Sequence, residues 1–390
     1  MRKLAIVIQR YGVEVCGGAE VHALCMAERL TKYFDVTVLT SKAIDNMTWK
    51  DEYKNDYEEI NGVKVRRFSV DSPRDPNLYD IAYNNAKKSN STISEQEKWM
   101  EENGPRVSGL IKYIEDNKDY YDLFYFVTYV FYPTYFGINA VGEKSIFNPC
   151  AHDEVTLYFD MFKNSFRNTK AIFYNSYEEK LLCERIFDLK GKLDNDGRGG
   201  DAASIPDKYS EAEFREKYNI HDDYIVYVGR SDFHKGIKEL FDYFIKYKSA
   251  KGGNLKLVCM GKGDSPFPQR EDIINLGFVS EEDKYSGIAG SKLLVLPSKY
   301  ESLSIVVIEA MALSKPVIVN AECEATKAHC VKGNAGLYYR NYYEFEACMD
   351  YILNNEDVAK QMGINGKKYT DENYSWDAIV KSFVELAEKV

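Results

Sequence analysis

Two glutamates, Glu301 and Glu309, lie in the stretch Leu294-Val-Leu-Pro-Ser-Lys-Tyr-Glu-Ser-Leu-Ser-Ile-Val-Val-Ile-Glu-Ala-Met-Ala-Leu-Ser-Lys-Pro-Val-Ile318. Each carboxylate oxygen accepts hydrogen bonds, so such a pair suits a ligand carrying vicinal hydroxyls. The residues around it predict a buried strand, a loop opened by Pro297, a helix from about Ser304 capped by Ser302 or Ser304, and a second strand after Lys315-Pro316. Ser302, Leu303, Ser304 and Ile305 then form a helix start at the carboxyl edge of a parallel sheet. Its unpaired amides and the positive end of the peptide dipole favour a diphosphate. Glu301 stands just before this helix and Glu309 one to two turns inside it, placed to face one ligand from different heights. In a chain with 61 acids the spacing alone is common, so the flanking pattern carries the inference.

Other groups with chemical potential follow predicted strands. Gly229-Arg230 comes after 224–228, with Lys235-Gly236 at the next helix start, and two fixed cations there would stabilise negative charge building on a departing phosphate. Gly261, Lys262 and Gly263 follow the next strand, and Gly277-Phe278-Val279 the one after; glycines in such places often serve turn geometry alone. Gly17-Gly18 opens the first helix but lacks the Gly-x-Gly-x-x-Gly spacing directly after a strand, which counts against a dehydrogenase. His152-Asp153-Glu154 follows the strand 144–149; by itself a single histidine there reads as structural.

The elements that must position these groups are short runs of branched and aromatic residues alternating with segments of helical period, the pattern of parallel strand-helix-strand units. Strands are expected at 3–9, 35–40, 63–69, 122–128, 144–149 and 170–175, and in a second series at 224–228, 255–260, 293–296, 316–319 and 336–338. Two series mean two α/β domains: 1–190 and 207–372, joined by a polar, glycine-rich linker or exposed loop at 191–206. Residues 373–390 are expected as a C-terminal helix, its packing back onto the N-terminal domain left open. Of the 31 tyrosines many crowd into 119–136; core filling is the stronger explanation, sugar stacking the weaker.

With these motifs in place, the chain resembles the retaining glycosyltransferases of family 4. The second domain of that family carries a glutamate pair separated by seven residues, before an Ala-Met-Ala segment and a Pro-Val strand. The resemblance extends to Gly-Gly-Ala-Glu at 17–20, His-Asp-Glu at 152–154, and the Gly-Arg and Lys-Gly pairs at 229–236. It implies a GT-B architecture, two Rossmann-like doubly wound domains facing a central cleft, and an enzyme that moves a hexosyl group from a nucleotide-diphosphate sugar to an acceptor hydroxyl. Configuration would be retained, without metal or cofactor. It further implies that Arg230 and Lys235 bind the donor diphosphate, that Glu301 contacts hydroxyls of the transferred sugar, and that Glu309 grips the ribose. Gly17 and Gly18 would wall the site, His152 would bond to the reacting sugar, the backbone at Phe278 would meet the base, Gly261 would belong to a glycine turn of the donor site, and Lys262 would add charge near the phosphates. Two departures stand out: Ser304 where the family commonly has glycine, and Gly197-Arg-Gly-Gly200 in place of a Pro-Asn-Gly-Val-Asp turn.

Composition narrows the partners. A formal net charge of −10 argues against nucleic acid, so any anionic ligand needs local cations. No run approaches the ~20 apolar residues of a membrane span, and eight scattered cysteines without a Cys-x-x-Cys pair fit a reduced, cytoplasmic setting. Cys323, His329 and Cys330 lack a fourth partner for a metal. The acceptor is expected to be a saccharide or a lipid-linked saccharide in polysaccharide or glycoconjugate synthesis, with contact at the inner face of the membrane left open. Rival readings are a nucleotide-sugar epimerase of the same architecture and an inactive nucleotide-sugar-binding module.

Overall fold

The structure, a computed structural model, describes residues 1–15, 17–232, 235–263 and 265–390. These divide into two units, Met1–Gly200 with Asp377–Val390, and Asp201–Trp376.

The first unit runs β1 (Arg2–Val7), α1 (Gly18–Leu30), β2 (Phe34–Ser41), β3 (Tyr57–Ile60), β4 (Val63–Phe68), α2 (Pro76–Ala86), α3 (Ile93–Asn103), α4 (Ser108–Asp116), β5 (Leu123–Val127), α5 (Tyr132–Val141), β6 (Ser145–Asn148), α6 (Phe162–Asn168), β7 (Ala171–Ile172), α7 (Tyr177–Ile186) and β8 (Leu193–Asp194). Its sheet has the order β3-β4-β2-β1-β5-β6-β7-β8. Every pairing is parallel except β3 with β4. Leu4 to Ile8 and Leu123 to Val127 are fully buried, because strands covered on both faces need continuous apolar runs.

The second unit comprises α8 (Glu211–Lys217), β9 (Tyr224–Val228), α9 (Ile237–Lys251), β10 (Lys256–Met260), β11 (Ile273–Asn275), α10 (Glu281–Ala289), β12 (Leu294–Leu296), α11 (Ile305–Ala312), β13 (Val317–Asn320), α12 (Glu324–Gly333), β14 (Gly336–Tyr339), α13 (Tyr342–Leu353) and α14 (Glu356–Asn373). Its all-parallel sheet has the order β11-β10-β9-β12-β13-β14. This is the doubly wound 3-2-1-4-5-6 arrangement, whose strand order reverses between β9 and β12. Ligands of such sheets bind beyond the carboxyl ends of the strands at that reversal. The last helix, α15 (Trp376–Ala387), sets Phe383 against Phe34, Tyr125 and Phe173 of the first unit, with ring centroids 6.3, 4.8 and 5.5 Å away.

Two details differ from the sequence reading and a third agrees with it. Residues 191–206 hold strand β8, and Asn195, Gly199, Gly200, Asp201 and Ala202 within them are buried, so this stretch is not a plain exposed loop. Of the tyrosines in 119–136, Tyr121, Tyr125, Tyr129, Tyr132 and Tyr135 are core residues and only Tyr120 is exposed. Strands β3 and β11 were unforeseen, being only four and three residues long.

Candidate active site

At the reversal point of the second unit, β9 hands over to Gly229 and Arg230, and β12 to the loop that begins at Pro297. Arg230 is exposed, its Nη1 3.4 Å from Asp232 Oδ2. Asp232 Oδ1 in turn accepts from the Lys235 amide at 3.0 Å. Phe233 and His234 of this motif lie outside the described residues. Lys235 Nζ donates to Glu301 Oε1 at 2.6 Å, with 24% and 12% of the two side chains exposed, so the pair is reachable from solvent. Gly236 has φ 71°, and a Cβ there would sit 2.8 Å from the Pro297 carbonyl oxygen. Only glycine lets the α9 start approach the loop after β12 this closely.

The helix start after Glu301 is built differently from the expectation. Ser304 is the residue before α11, but its hydroxyl makes no capping bond and its backbone is left-handed, φ 69° and ψ 88°. The cap expected from Ser302 or Ser304 is therefore corrected: the turn demands positive φ, a conformation glycine adopts without strain. Leu303 is buried, and its carbonyl is bonded to His329 Nε2 at 3.0 Å. The first amides of α11, beginning with Ile305, have no carbonyl one turn earlier to bond. Together with the helix dipole they make an anion-accepting end beside the Lys235–Glu301 pair.

Glu309, one turn further in, is buried, and its Oε1 accepts from Lys284 Nζ and the Tyr285 hydroxyl, both at 2.8 Å. Burial raises the Glu309 pKa, and Lys284 opposes that rise. Burial disfavours the Lys284 ammonium, but Glu309 and Glu281 outweigh it and its pKa is raised. The structure thus joins Lys235 to Glu301 and links Arg230 to them through Asp232, whereas Glu309 turns to α10. Lys284 and Tyr285 went unnoticed in the sequence because a lysine and a tyrosine in a helix of mixed polarity carry no local signal.

Around this point the strand ends come unusually close. A Cβ on Gly261 would lie 2.0 Å from the Gly229 carbonyl oxygen, and the Gly261 amide donates to the Gly277 carbonyl at 2.7 Å. Lys262 and Phe278 are both exposed, the ammonium 5.6 Å from the ring centroid. Asp264 lies outside the described residues.

In the first unit, Gly17 precedes α1 with extended backbone and no side-chain cap, and a Cβ on Gly18 would meet nothing within 4 Å. Glu20 of the same turn is buried and accepts from Gln9 Nε2 at 2.9 Å and Arg10 Nη2 at 2.6 Å. His152 Nδ1 lies 3.3 Å from Glu154 Oε1, which accepts from the Tyr129 hydroxyl at 2.5 Å. Before His152, the Ala151 amide donates to the buried Glu179 Oε1 at 2.5 Å, and the Asn175 amide to its Oε2 at the same distance. Burial pushes the Glu179 carboxyl up to about 8, against the pull of those amides. Thr128 (φ 70°) and Cys150 (φ 50°), just beyond β5 and β6, share with Ser304 the left-handed backbone that side chains avoid. All three strained positions lie beyond carboxyl ends of strands.

Two of the cysteine thiols lie near backbone carbonyls. Cys323 Sγ lies 3.7 Å from the Glu301 carbonyl and Cys330 Sγ 3.7 Å from that of Leu337. The seven described cysteines are free, and Cys16 lies outside the described residues. Among the described residues no three His, Cys, Asp or Glu side chains are grouped to hold a metal ion, and no helix is long and apolar enough to cross a membrane.

Comparison with known proteins adds sequence and fold similarity. Residues 210–369 match the family model "Glycosyl transferases group 1". An uncharacterized glycosyltransferase of Methanocaldococcus jannaschii is 32% identical over 189 residues, 44% of this chain and 47% of that protein. The chain therefore spans about half the length of the curated relatives it matches. Among solved structures, sucrose-phosphate synthase from Thermosynechococcus elongatus superposes with a TM-score of 0.70 at 16% identity, covering 100% of this chain and 99% of that one. Anabaena HepE, solved in complex with UDP-glucose, gives 0.68 at 12% identity with 100% of each chain covered. The fold is that of the GT-B glycosyltransferases. Sequence similarity in the second unit and fold similarity along the chain agree on the glycosyltransferase superfamily.

Proposed function

We propose that the protein is a retaining, metal-independent glycosyltransferase of the family 4 type, a hexosyltransferase working in the cytoplasm on a saccharide or lipid-linked saccharide acceptor. The observation that carries this reading is the solvent-reachable Lys235–Glu301 pair, set between Arg230 and the amino end of α11 at the point where the strand order reverses. In this reading Arg230 and Lys235 hold the diphosphate of a nucleotide-sugar donor as its bond to the sugar breaks, and the α11 amides share the charge. Glu301 orients hydroxyls of the transferred sugar. Glu309, once released from Lys284, accepts from the ribose. His152 bonds to a donor hydroxyl, and the backbone at Gly17 and Gly18 walls the ligand. The acceptor oxygen attacks from the side the diphosphate leaves, and its proton passes to a phosphate oxygen, so configuration is kept. The complex of HepE with UDP-glucose supports a nucleotide-diphosphate sugar as donor class.

The test is transfer from a panel of nucleotide sugars, with and without acceptor saccharides, in the presence of EDTA. Arg230→Ala and Glu309→Ala should each reduce glycoside formation by at least ~10²-fold, the usual effect of removing a group aimed at developing charge, with unchanged circular dichroism. Full activity in either variant, activity abolished by EDTA, or a product of inverted configuration by proton NMR would overturn the assignment.

A further inference from the structure

Strand β3 pairs antiparallel with β4, with Tyr57 opposite Arg66 and Glu59 opposite Lys64. Side chains alternate along a strand, so these four share one face of the sheet. The end of α4 and the segment before β5 bring Tyr113, Asn117, Tyr120 and Tyr121 over that face, and the groove between has a volume of about 470 Å³. Small-molecule sites typically run from ~300 to ~1,000 Å³. Tyr120 and Tyr121 stand just ahead of β5, at the amino edge of the sheet, whereas Gly17, Gly18 and His152 follow the carboxyl ends of β1 and β6.

The groups facing this groove are unevenly satisfied. Lys64 is held by Asp35 at 2.7 Å, and Glu58, on the other face of β3, is bonded to Arg67. The Arg66 guanidinium stacks 3.8 Å from the Tyr113 centroid and 4.9 Å from that of Tyr57, which fixes its plane. Neither the Arg66 guanidinium nor the Glu59 carboxylate makes a hydrogen bond or ion pair with any described residue, and Tyr57 and Tyr120 are 62% and 53% exposed. The groove therefore offers a fixed fork of donors, a carboxylate and open aromatic surface, with its charges balanced. A sugar ring matches each part: its C–H face packs on tyrosine, one vicinal diol accepts from a guanidinium, and another donates to a carboxylate. A polyanion would meet the Glu59 carboxylate.

We propose that this groove is a second saccharide-binding site, which holds a stretch of glycan chain on Tyr57, Tyr120, Arg66 and Glu59 away from the groups assigned to transfer. Holding a polymer at a second point raises its effective concentration at the first. The site needs no nucleotide sugar, so it stands or falls separately from the proposed reaction.

Affinity electrophoresis of the full chain through native gels containing one of four neutral polymers, dextran, mannan, galactan or xylan, tests it. At least one polymer should retard the protein, and Tyr57→Ala with Tyr120→Ala should weaken that apparent affinity at least tenfold. Glu59→Ala, on an exposed edge position that leaves the core intact, should weaken it as well, while Arg230→Ala leaves it unchanged. Absence of retardation by all four polymers, retardation that survives the tyrosine and Glu59 substitutions, or loss of retardation in Arg230→Ala would each overturn the proposal.

Discussion

The starts of α1 and α11 are built from similar parts and used differently. Each follows a strand next to the reversal of its sheet, and each sets a glutamate against a cation. At α1, Glu20 and Arg10 are 7% and 8% exposed, and Arg10 also donates to the Ile44 carbonyl at 2.6 Å, so the pair is closed into the structure. At α11, Lys235 and Glu301 keep 24% and 12% of their side-chain surface open. Burial separates the two: a sealed pair fixes a loop, whereas an open one can exchange its partner for a ligand.

The sharpest way to break this contrast is to remove the acid from each pair. Glu20→Ala removes the buried carboxylate that the Arg10 guanidinium and the Gln9 amide both bond and should destabilise the protein by ~3–5 kcal/mol in urea unfolding. Glu301→Ala, whose lysine can turn to water, should cost under ~1 kcal/mol while glycosyl transfer falls by ~10²-fold or more. Equal stability losses would erase the distinction.

A second contrast sets Glu179, buried without a cation, beside Glu309, buried with Lys284. The Glu179 carboxyl is raised from 4.5 to about 8, so between those values the folded protein holds a proton that the unfolded chain has lost. Stability therefore falls as pH rises through this window, by roughly 3–5 kcal/mol if the whole shift is expressed. Glu179→Gln should flatten that slope in unfolding midpoints taken from pH 5 to 8.5, and an unchanged slope would assign it elsewhere. The smallest effect concerns backbone: Ser304→Gly relieves a left-handed serine and should stabilise by ~0.5–1 kcal/mol, read as a higher melting temperature.

Much of this framework was legible because parallel strands covered on both faces must be apolar runs: 224–228 is β9, and 3–9 and 35–40 contain or overlap β1 and β2 within two residues at each end. Strands without that burial left no mark. Edge strand β3 reads Tyr-Glu-Glu-Ile, and β8 is two residues inside a glycine-rich stretch. At the candidate site, residue types next to strand ends were visible, but partners were not. Lys235 and Glu301 are 66 residues apart, and Lys284 reaches Glu309 from another helix. Ser304 looked like a cap because serine hydroxyls often bond helix amides; the turn instead needed positive φ, which a side-chain preference cannot reveal.

The first unit borrows its last helix from the far end of the sequence, with Phe383 wedged among Phe34, Tyr125 and Phe173 and the Arg2 guanidinium donating to the Ala387 carbonyl at 2.7 Å. On the ribosome, strands β1 to β8 are all made before that plug exists. At about 5–20 residues per second the wait is roughly 10–40 s. During that interval Phe34, Tyr125 and Phe173 lack the ring that covers them in the folded chain, so the core of the first unit cannot close until Phe383 has been made.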